Sequence, residues 1–422
     1  MKKLTAFLTV LAIIMSLGIW AFAEEEPEAG DDSPLMAISP ASENDDEPVD
    51  GTTTEKDYSH LAGTSINVYN WGEYISDGKL GSLDINKAFE EKYGIKVIYN
   101  MFSNNEEMYT KVKSDGVNYD IVIPSDYMIQ RMISEDLLQK LDFSNIPNYS
   151  LIASEYKNLP FDPENEYSVP YLVGLCGLIY NTKYVLEEPD SWAVMWDEQY
   201  SGKILTFNNE RDAFSIAQFL LGQDVNSTNP DDWNAAFEKL KEQKPLIQNY
   251  VMDEIFDKME GGEAYIAPYY AGDFLSMSEN NGDLAFVFPR EDTNIFVDSM
   301  CIPKSSQNKE AAELYINFML EPEIALENAE YVCYASPNTA VLENEEYSLK
   351  DNEFLYPSPE SMPKTQYFED LPPEIRSLMS NLFTDLKIEG GSYTGVYIAL
   401  GVVAAAVIVY IICSKIKKKR DA

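Results

Sequence analysis

Ile66-Asn67-Val68-Tyr69-Asn70-Trp71-Gly72-Glu73-Tyr74 is a short alternating segment that runs straight into a turn carrying two aromatics and a carboxylate. Period-two alternation predicts a strand over Ile66 to Tyr69. Outward from it, the pattern predicts a helix over Leu83 to Tyr93, a strand over Lys96 to Met101 and a helix over Glu106 to Ser114. A strand over Asp120 to Ile123 follows and then, after Pro124-Ser125, a helix over Tyr127 to Glu135. Such alternation implies an α/β fold with a mainly parallel sheet and helices on both faces. Ligands of such sheets sit outside the carboxyl ends of the strands, where the Trp71 to Tyr74 and Ser125 to Tyr127 turns fall.

An aromatic face beside an anion suits a desolvated organic cation, through cation–π attraction and charge neutralisation. The pairing of Trp71 and Tyr74 with Glu73 recurs at Tyr127 with Asp126, Tyr270 with Asp273 and Phe296 with Asp298. Alone, each acid reads as a solvated carboxylate or helix cap, and Trp71 as core. Four pairs near the ends of apolar runs point instead to a cation pocket.

Farther along, strands are expected at Lys203 to Phe207, Ala264 to Ala267, Leu284 to Phe288 and Val297 to Ile302. Helices are expected at Ala213 to Leu221, Asp231 to Lys241 and Lys309 to Leu320. The span from Thr64 to Lys387, about 325 residues, exceeds what one core usually serves, so two lobes are expected. The strand at Val297 returns the chain to the first lobe.

Here a resemblance becomes specific. Val68-Tyr69-Asn70-Trp71 with Glu73-Tyr74, Gly94-Ile95-Lys96-Val97, Ser103-Asn104-Asn105-Glu106 and Tyr119-Asp120-Ile121-Val122-Ile123-Pro124-Ser125 occur in order. Phe161-Asp162-Pro163, Ser168-Val169-Pro170-Tyr171, Asp298-Ser299, Ile302-Pro303, Asn317-Phe318 and Tyr334-Ala335-Ser336-Pro337-Asn338 follow. Over Ser65 to Lys387 the chain resembles spermidine/putrescine-binding proteins of ABC importers. The resemblance implies a two-lobed periplasmic-binding-protein-like fold (type II) that traps a polyamine and hands it to ABC permease subunits. Lobe 1 is expected at 64–173 and 296–342, and lobe 2 at 174–295 and 343–389. By position, Trp71 and Tyr74 would form aromatic walls, Glu73 would bind an ammonium, Ser125 and Tyr127 would line the first lobe, and Asp212 would reach from the second. Tyr270 and Phe296 stand where the family has Trp, Asp298 matches the central carboxylate, and Tyr334 would close the pocket. Asn209 replaces an acid of spermidine receptors and Asp273 resembles the acid of putrescine receptors, which favours a diamine.

The ends suggest where the chain works. Lys2-Lys3, an uncharged apolar run from Leu4 to Trp20 and Ala21-Phe22-Ala23 read as a signal peptide over 1–23. The segment 24–63 is acidic, holds Pro, Ser and Thr, and reads as a disordered linker. Residues 393–413 form an apolar stretch of 21 residues, about 31 Å as a helix, which is enough to span a bilayer. The basic tail 414–422 would stay cytoplasmic, leaving the binding domain on the outer face of the cell membrane. A receptor tethered by that helix, in place of a lipid, suits a cell without an outer membrane.

A formal net charge of −40, from 71 acids and 31 bases, excludes phosphate-backbone binding of nucleic acid. Cys176, Cys301, Cys333 and Cys413 show no metal-ligand spacing, and buried free thiols are favoured over one disulfide. The only histidine is His60, and no G-x-S-x-G or H-E-x-x-H occurs, so a histidine triad or zinc hydrolase is excluded. A monomeric binding protein with no catalytic residues, cofactor or metal is expected. The competing readings are a ferric-ion or other small-cation receptor of the same fold, from Tyr269-Tyr270, and a carboxylate-based glycoside hydrolase. A surface sensor is a third, although the short tail leaves no room for a signalling domain.

Overall fold

A computed structural model describes residues 56–114 and 118–388. The expected signal peptide, most of the linker, the span at 393–413 and the basic tail lie outside the described residues. Among those described, no helix is long and apolar enough to cross a membrane. Structure begins before the expected boundary at Thr64. A 3-10 turn spans Ser59–Leu61, Tyr58 and Leu61 pack on the core, and His60 Nε2 lies 3.0 Å from Glu310.

The first part is β1 (Ser65–Trp71), α1 (Ile85–Tyr93), β2 (Lys96–Phe102), α2 (Asn105–Lys113), β3 (Ile121–Val122) and α3 (Asp126–Ser134). Helix α1 starts later than Leu83 because the Asp84 carboxylate accepts the Lys87 N–H at 3.0 Å and fixes the cap. It ends at Gly94, whose left-handed φ of 67° suits a residue without Cβ. Strand β1 pairs in parallel with β2 and β3.

The long strand β4 (Ser168–Asn181), absent from the sequence expectations, is buried along its whole length. It has no alternation to betray it, and Pro170 sits at a register shift where a missing N–H is tolerated. There follow β5 (Ile204–Phe207), α4 (Glu210–Leu221), α5 (Pro230–Gln243), β6 (Ile247–Val251), α6 (Ile255–Glu260), β7 (Ile266–Tyr270), α7 (Ala271–Asn280) and β8 (Leu284–Val287). Strand β9 (Thr293–Cys301) precedes α8 (Lys309–Met319), α9 (Pro322–Val332), α10 (Thr339–Leu342), β10 (Thr365–Gln366) and α11 (Pro373–Ile388). The start of β9 is earlier than expected because Thr293 and Asn294 are polar; the Thr293 hydroxyl donates to the Cys176 carbonyl at 2.6 Å.

The strand order is β2-β1-β3-β9-β4-β7-β5-β6, with β10 on β9 and β8 on β4. The β4 residues Ser168 to Leu175 pair with β9, and Cys176 to Tyr180 pair with β7. One strand thus belongs to two groups, β2-β1-β3-β9 on one side and β7-β5-β6 on the other. Ile66, Val68, Phe89, Tyr315 and Phe318 pack in the core of the first group. Trp192, Phe207, Phe214 and Trp233 pack in that of the second, against which α11 lies through α5 and α4. Cys176, Cys301 and Cys333 are free and buried.

Candidate functional site

Residues at or just past the ends of β1, β3, β5, β6 and β7, together with one face of β9, enclose a cleft of about 650 Å³ counting its opening to solvent. All twelve residues singled out from the sequence line it: Trp71, Glu73, Tyr74, Ser125, Tyr127, Asn209, Asp212, Tyr270, Asp273, Phe296, Asp298 and Tyr334.

Strand β1 delivers Trp71 at its last position, and the Trp71 indole N–H donates to the Ile123 carbonyl at 2.9 Å, which locks the ring. Glu73 follows in the left-handed region, φ 48°, and is exposed at the mouth. Tyr74 is buried, edge-on to Tyr171 and to Tyr334, with ring centroids 5.5 and 4.9 Å away.

Ser125 caps α3. Its hydroxyl accepts from Asn105 Nδ2 at 3.1 Å, and the Tyr127 hydroxyl behind it donates to Glu106 Oε1 at 2.9 Å. Asn209 caps α4 by accepting the Arg211 N–H at 2.9 Å, so that side-chain oxygen is committed to the helix. Asp212 faces the cleft, whereas Arg211 points away and is bound by the Val225 carbonyl and Asn226 Oδ1, both at 2.6 Å.

Tyr270 ends β7, edge-on to Phe296 at 5.1 Å. Asp273 lies in the first turn of α7 and accepts the Tyr334 hydroxyl at 3.0 Å. Phe296 and Asp298 leave the same face of β9, as residues two apart in a strand must. Three walls rest directly on backbone. A Cβ built on Gly174 would lie 2.2 Å from Phe296 Cζ, one on Gly272 2.3 Å from Tyr334 Cδ2, and one on Gly72 2.2 Å from Asp253 Oδ2.

Glu73, Asp126, Asp212, Asp253, Asp273 and Asp298 are six carboxylates in the lining, and among the described residues no Lys, Arg or His joins them. Burial pushes the carboxyls of Asp212, Asp273 and Asp298 each up to about 7. Neighbouring acids add to this, Glu106 for Asp212 and Asp253 with Glu73 for Asp273. Hydroxyls oppose it, Tyr334 at Asp273 and Ser125 with Tyr74 at Asp298. Asp126 is raised well above the carboxylate range, chiefly by burial. The buried Asp298 Oδ1 and Asp126 Oδ2 have no hydrogen-bond partner. Such a site can hold a cation whose charge restores what burial took from the acids.

Sequence reasoning did not assign Asp253, Asn105 or Phe368 to the site, though all line it, and it named Asp126 only as the acid paired with Tyr127. Asp253 stands two residues past β6, at another strand's carboxyl end. The polar Gln248-Asn249 pair hid that strand, and finding it would have pointed to the residue.

A family model described as bacterial extracellular solute-binding protein matches residues 84–354. The spermidine/putrescine-binding periplasmic protein of Salmonella typhimurium is 34% identical over 310 residues, covering 73% of this chain and 87% of its own. The putrescine-binding periplasmic protein SpuD of Pseudomonas aeruginosa is 27% identical over 341 residues, covering 76% and 91%. The solved spermidine/putrescine ABC transporter substrate-binding protein of Streptococcus pneumoniae is similar with a TM-score of 0.64 and 37% identity, over 77% of this chain and 99% of that one.

Proposed function

The chain belongs to the bacterial extracellular solute-binding proteins, in the spermidine/putrescine-binding family, and on that premise we propose that it captures putrescine or spermidine and delivers it to the permease of an ABC importer. The observation that carries this reading is the cleft's charge: six carboxylates under aromatic walls, with no base among the lining residues. A polyamine answers both features, since its methylenes lie against rings while its ammonium groups pair with acids. Asp298 is the central carboxylate, Asp212 and Asp273 serve the two sides, and Trp71, Tyr74, Tyr127, Tyr270, Phe296 and Tyr334 form the walls. Ser125 positions Asp298, and Glu73 guards the mouth.

The two strand groups are the lobes, 64–173 with 296–342 and 174–295 with 343–389. They close by flexing where β4 and β9 pass from one to the other. A monomer held at the outer face of the cell membrane by residues 393–413 completes the proposal. Cell fractionation tests that anchor: the chain is expected with the membrane, and its release into the medium with those residues intact would count against it.

Calorimetric titration of the full-length protein, freed of bound amine, with putrescine, spermidine, spermine and ferric iron tests the ligand. One-to-one amine binding is expected. Silence toward every amine together with iron binding would replace this reading by the ferric one.

A further inference from the structure

Behind the cleft lies a second cavity, of about 390 Å³ counting its opening to solvent, and Tyr127 belongs to the walls of both. Its lining comes from both strand groups. Glu106 and Arg131 stand on α2 and α3, which follow β2 and β3, whereas Glu210 and Arg211 open α4, which follows β5. Asp370, Arg376 and Ser380 come from α11 and the segment before it. The two sides are joined next to the cavity: the Asp370 N–H donates to Gln130 Oε1 of α3 at 2.7 Å, and Arg376 approaches Glu135 at 3.9 Å.

Two half-buried carboxylates line this cavity, one from each side. Glu106 accepts the Tyr127 hydroxyl at 2.9 Å, and Glu210 accepts the Ser380 hydroxyl at 2.6 Å. Each is thus served by a neutral group of its own side. The bases around them are spent elsewhere, Arg131 on Glu135 at 3.1 Å, Arg376 on Asp370, Arg211 on the Val225 carbonyl and Asn226, and Lys387 on Asn208. Glu369 also lines the cavity, through an exposed side chain. Burial raises both carboxyls, and the charge of Glu106 takes Glu210 further, from 4.5 to about 7. Against this act the charges of Arg131 on both acids, Arg211 on Glu106 and Lys387 on Glu210, which burial outweighs. Glu106 acts on Asp212 in the cleft as well.

We propose that Glu106 and Glu210 form a proton-operated clasp: closing the lobes around an amine draws a proton from solvent onto this pair, and opening returns it. This inference rests on the two-lobed polyamine reading above. In the open form each acid meets water, whereas closure brings two negative charges into one cavity, and a proton on either removes the repulsion. The closed form has the higher pKa, so its advantage is complete below about 4.5 and is lost as pH rises through about 7. An acid medium therefore holds the lobes shut, and an alkaline one pushes them apart. The acids of the cleft shed protons as a cation arrives, so the clasp offsets part of their release.

Calorimetric titration of the full-length wild type, Glu210→Gln and Glu106→Gln with putrescine and spermidine, in buffers of different ionisation heat, tests the clasp. Glutamine still accepts the hydroxyl hydrogen bond but carries no charge. For Glu210→Gln the ratio of variant to wild-type affinity is expected to rise about tenfold from pH 6 to pH 8, the penalty that a carboxyl moving from 4.5 to about 7 imposes over that range. At pH 7 this variant is expected to release about half a proton more per amine bound than the wild type. Glu106→Gln, which removes the repulsion and leaves the burial of Glu210, is expected to move the same way and less. A constant affinity ratio across pH, or unchanged proton release, would overturn the clasp while leaving the receptor intact. Failure of the wild type to bind either amine would overturn the polyamine reading, and this proposal with it.

Discussion

The ring of Phe296 fills the space that a side chain at Gly174 would need: the two residues are register partners on β9 and β4, and a Cβ on Gly174 would lie 2.2 Å from the ring's Cζ. The aromatic wall therefore stands directly on the strand shared by the two groups. Adding one methyl group beneath it must push the ring into the cleft. Gly174→Ala is expected to cost about 1–3 kcal/mol of stability by overpacking. Amine affinity should fall with it, as read by chemical denaturation and by calorimetry on the folded variant. An alanine variant of wild-type stability would mean that the contact is not tight.

Asp298 is the acid with the fewest alternatives, buried at 3% exposure with one oxygen unpaired. Removing its charge leaves a bound ammonium without a partner inside the cleft. Asp298→Asn is expected to weaken polyamine binding by roughly 2–5 kcal/mol. Calorimetry checks this, and unchanged affinity would remove Asp298 from the site.

Asp212, Asp273 and Asp298 are each raised from 3.8 to about 7. Between those values the folded protein binds more protons than the unfolded chain. The contribution of these groups to stability is thus present at acid pH and lost as pH rises toward about 7. Ligand binding runs the other way, since a cation favours the ionised acids and expels their protons. Amine affinity is expected to rise as pH is taken from about 6 to about 8, with proton release visible as a buffer-dependent heat. A flat affinity across that range would show the acids already ionised.

Arg211 is 1% exposed and donates to the Val225 carbonyl, Asn226 Oδ1 and the Glu369 carbonyl. Burial lowers its pKa to about 10, which leaves it charged at neutral pH. Arg211→Met would strand those acceptors at the start of the helix that carries Asp212. A loss of about 3 kcal/mol or more is expected in urea unfolding. Wild-type stability would refute the anchoring role.

The alternating units up to α3 were legible because amphipathic helices and half-buried strands carry their period in the residues. Asp84 and Asn104 mark helix starts that any capping rule would place within two residues. Strand β4 was illegible for the opposite reason: burial on both faces erases alternation, and Pro170 argues against a strand until the register shift is known. The site residues were legible as aromatic–acid pairs and through the family resemblance. Asp253 was not, because its carboxylate has meaning only beside Gly72, 181 positions away. Such proximity is a property of the fold and leaves no local signature.

Gly72, Gly174 and Gly272 together set limits on how this receptor could be retuned. Main chain at these glycines lies against Asp253, Phe296 and Tyr334, where a Cβ would come within 2.2, 2.2 and 2.3 Å of them. An engineer seeking a roomier pocket cannot carve from behind and must shorten the wall residue itself, losing its ring or its charge in the same stroke. Variants that accept bulkier cations should therefore arise by exchange at positions 253, 296 and 334 rather than at the three glycines.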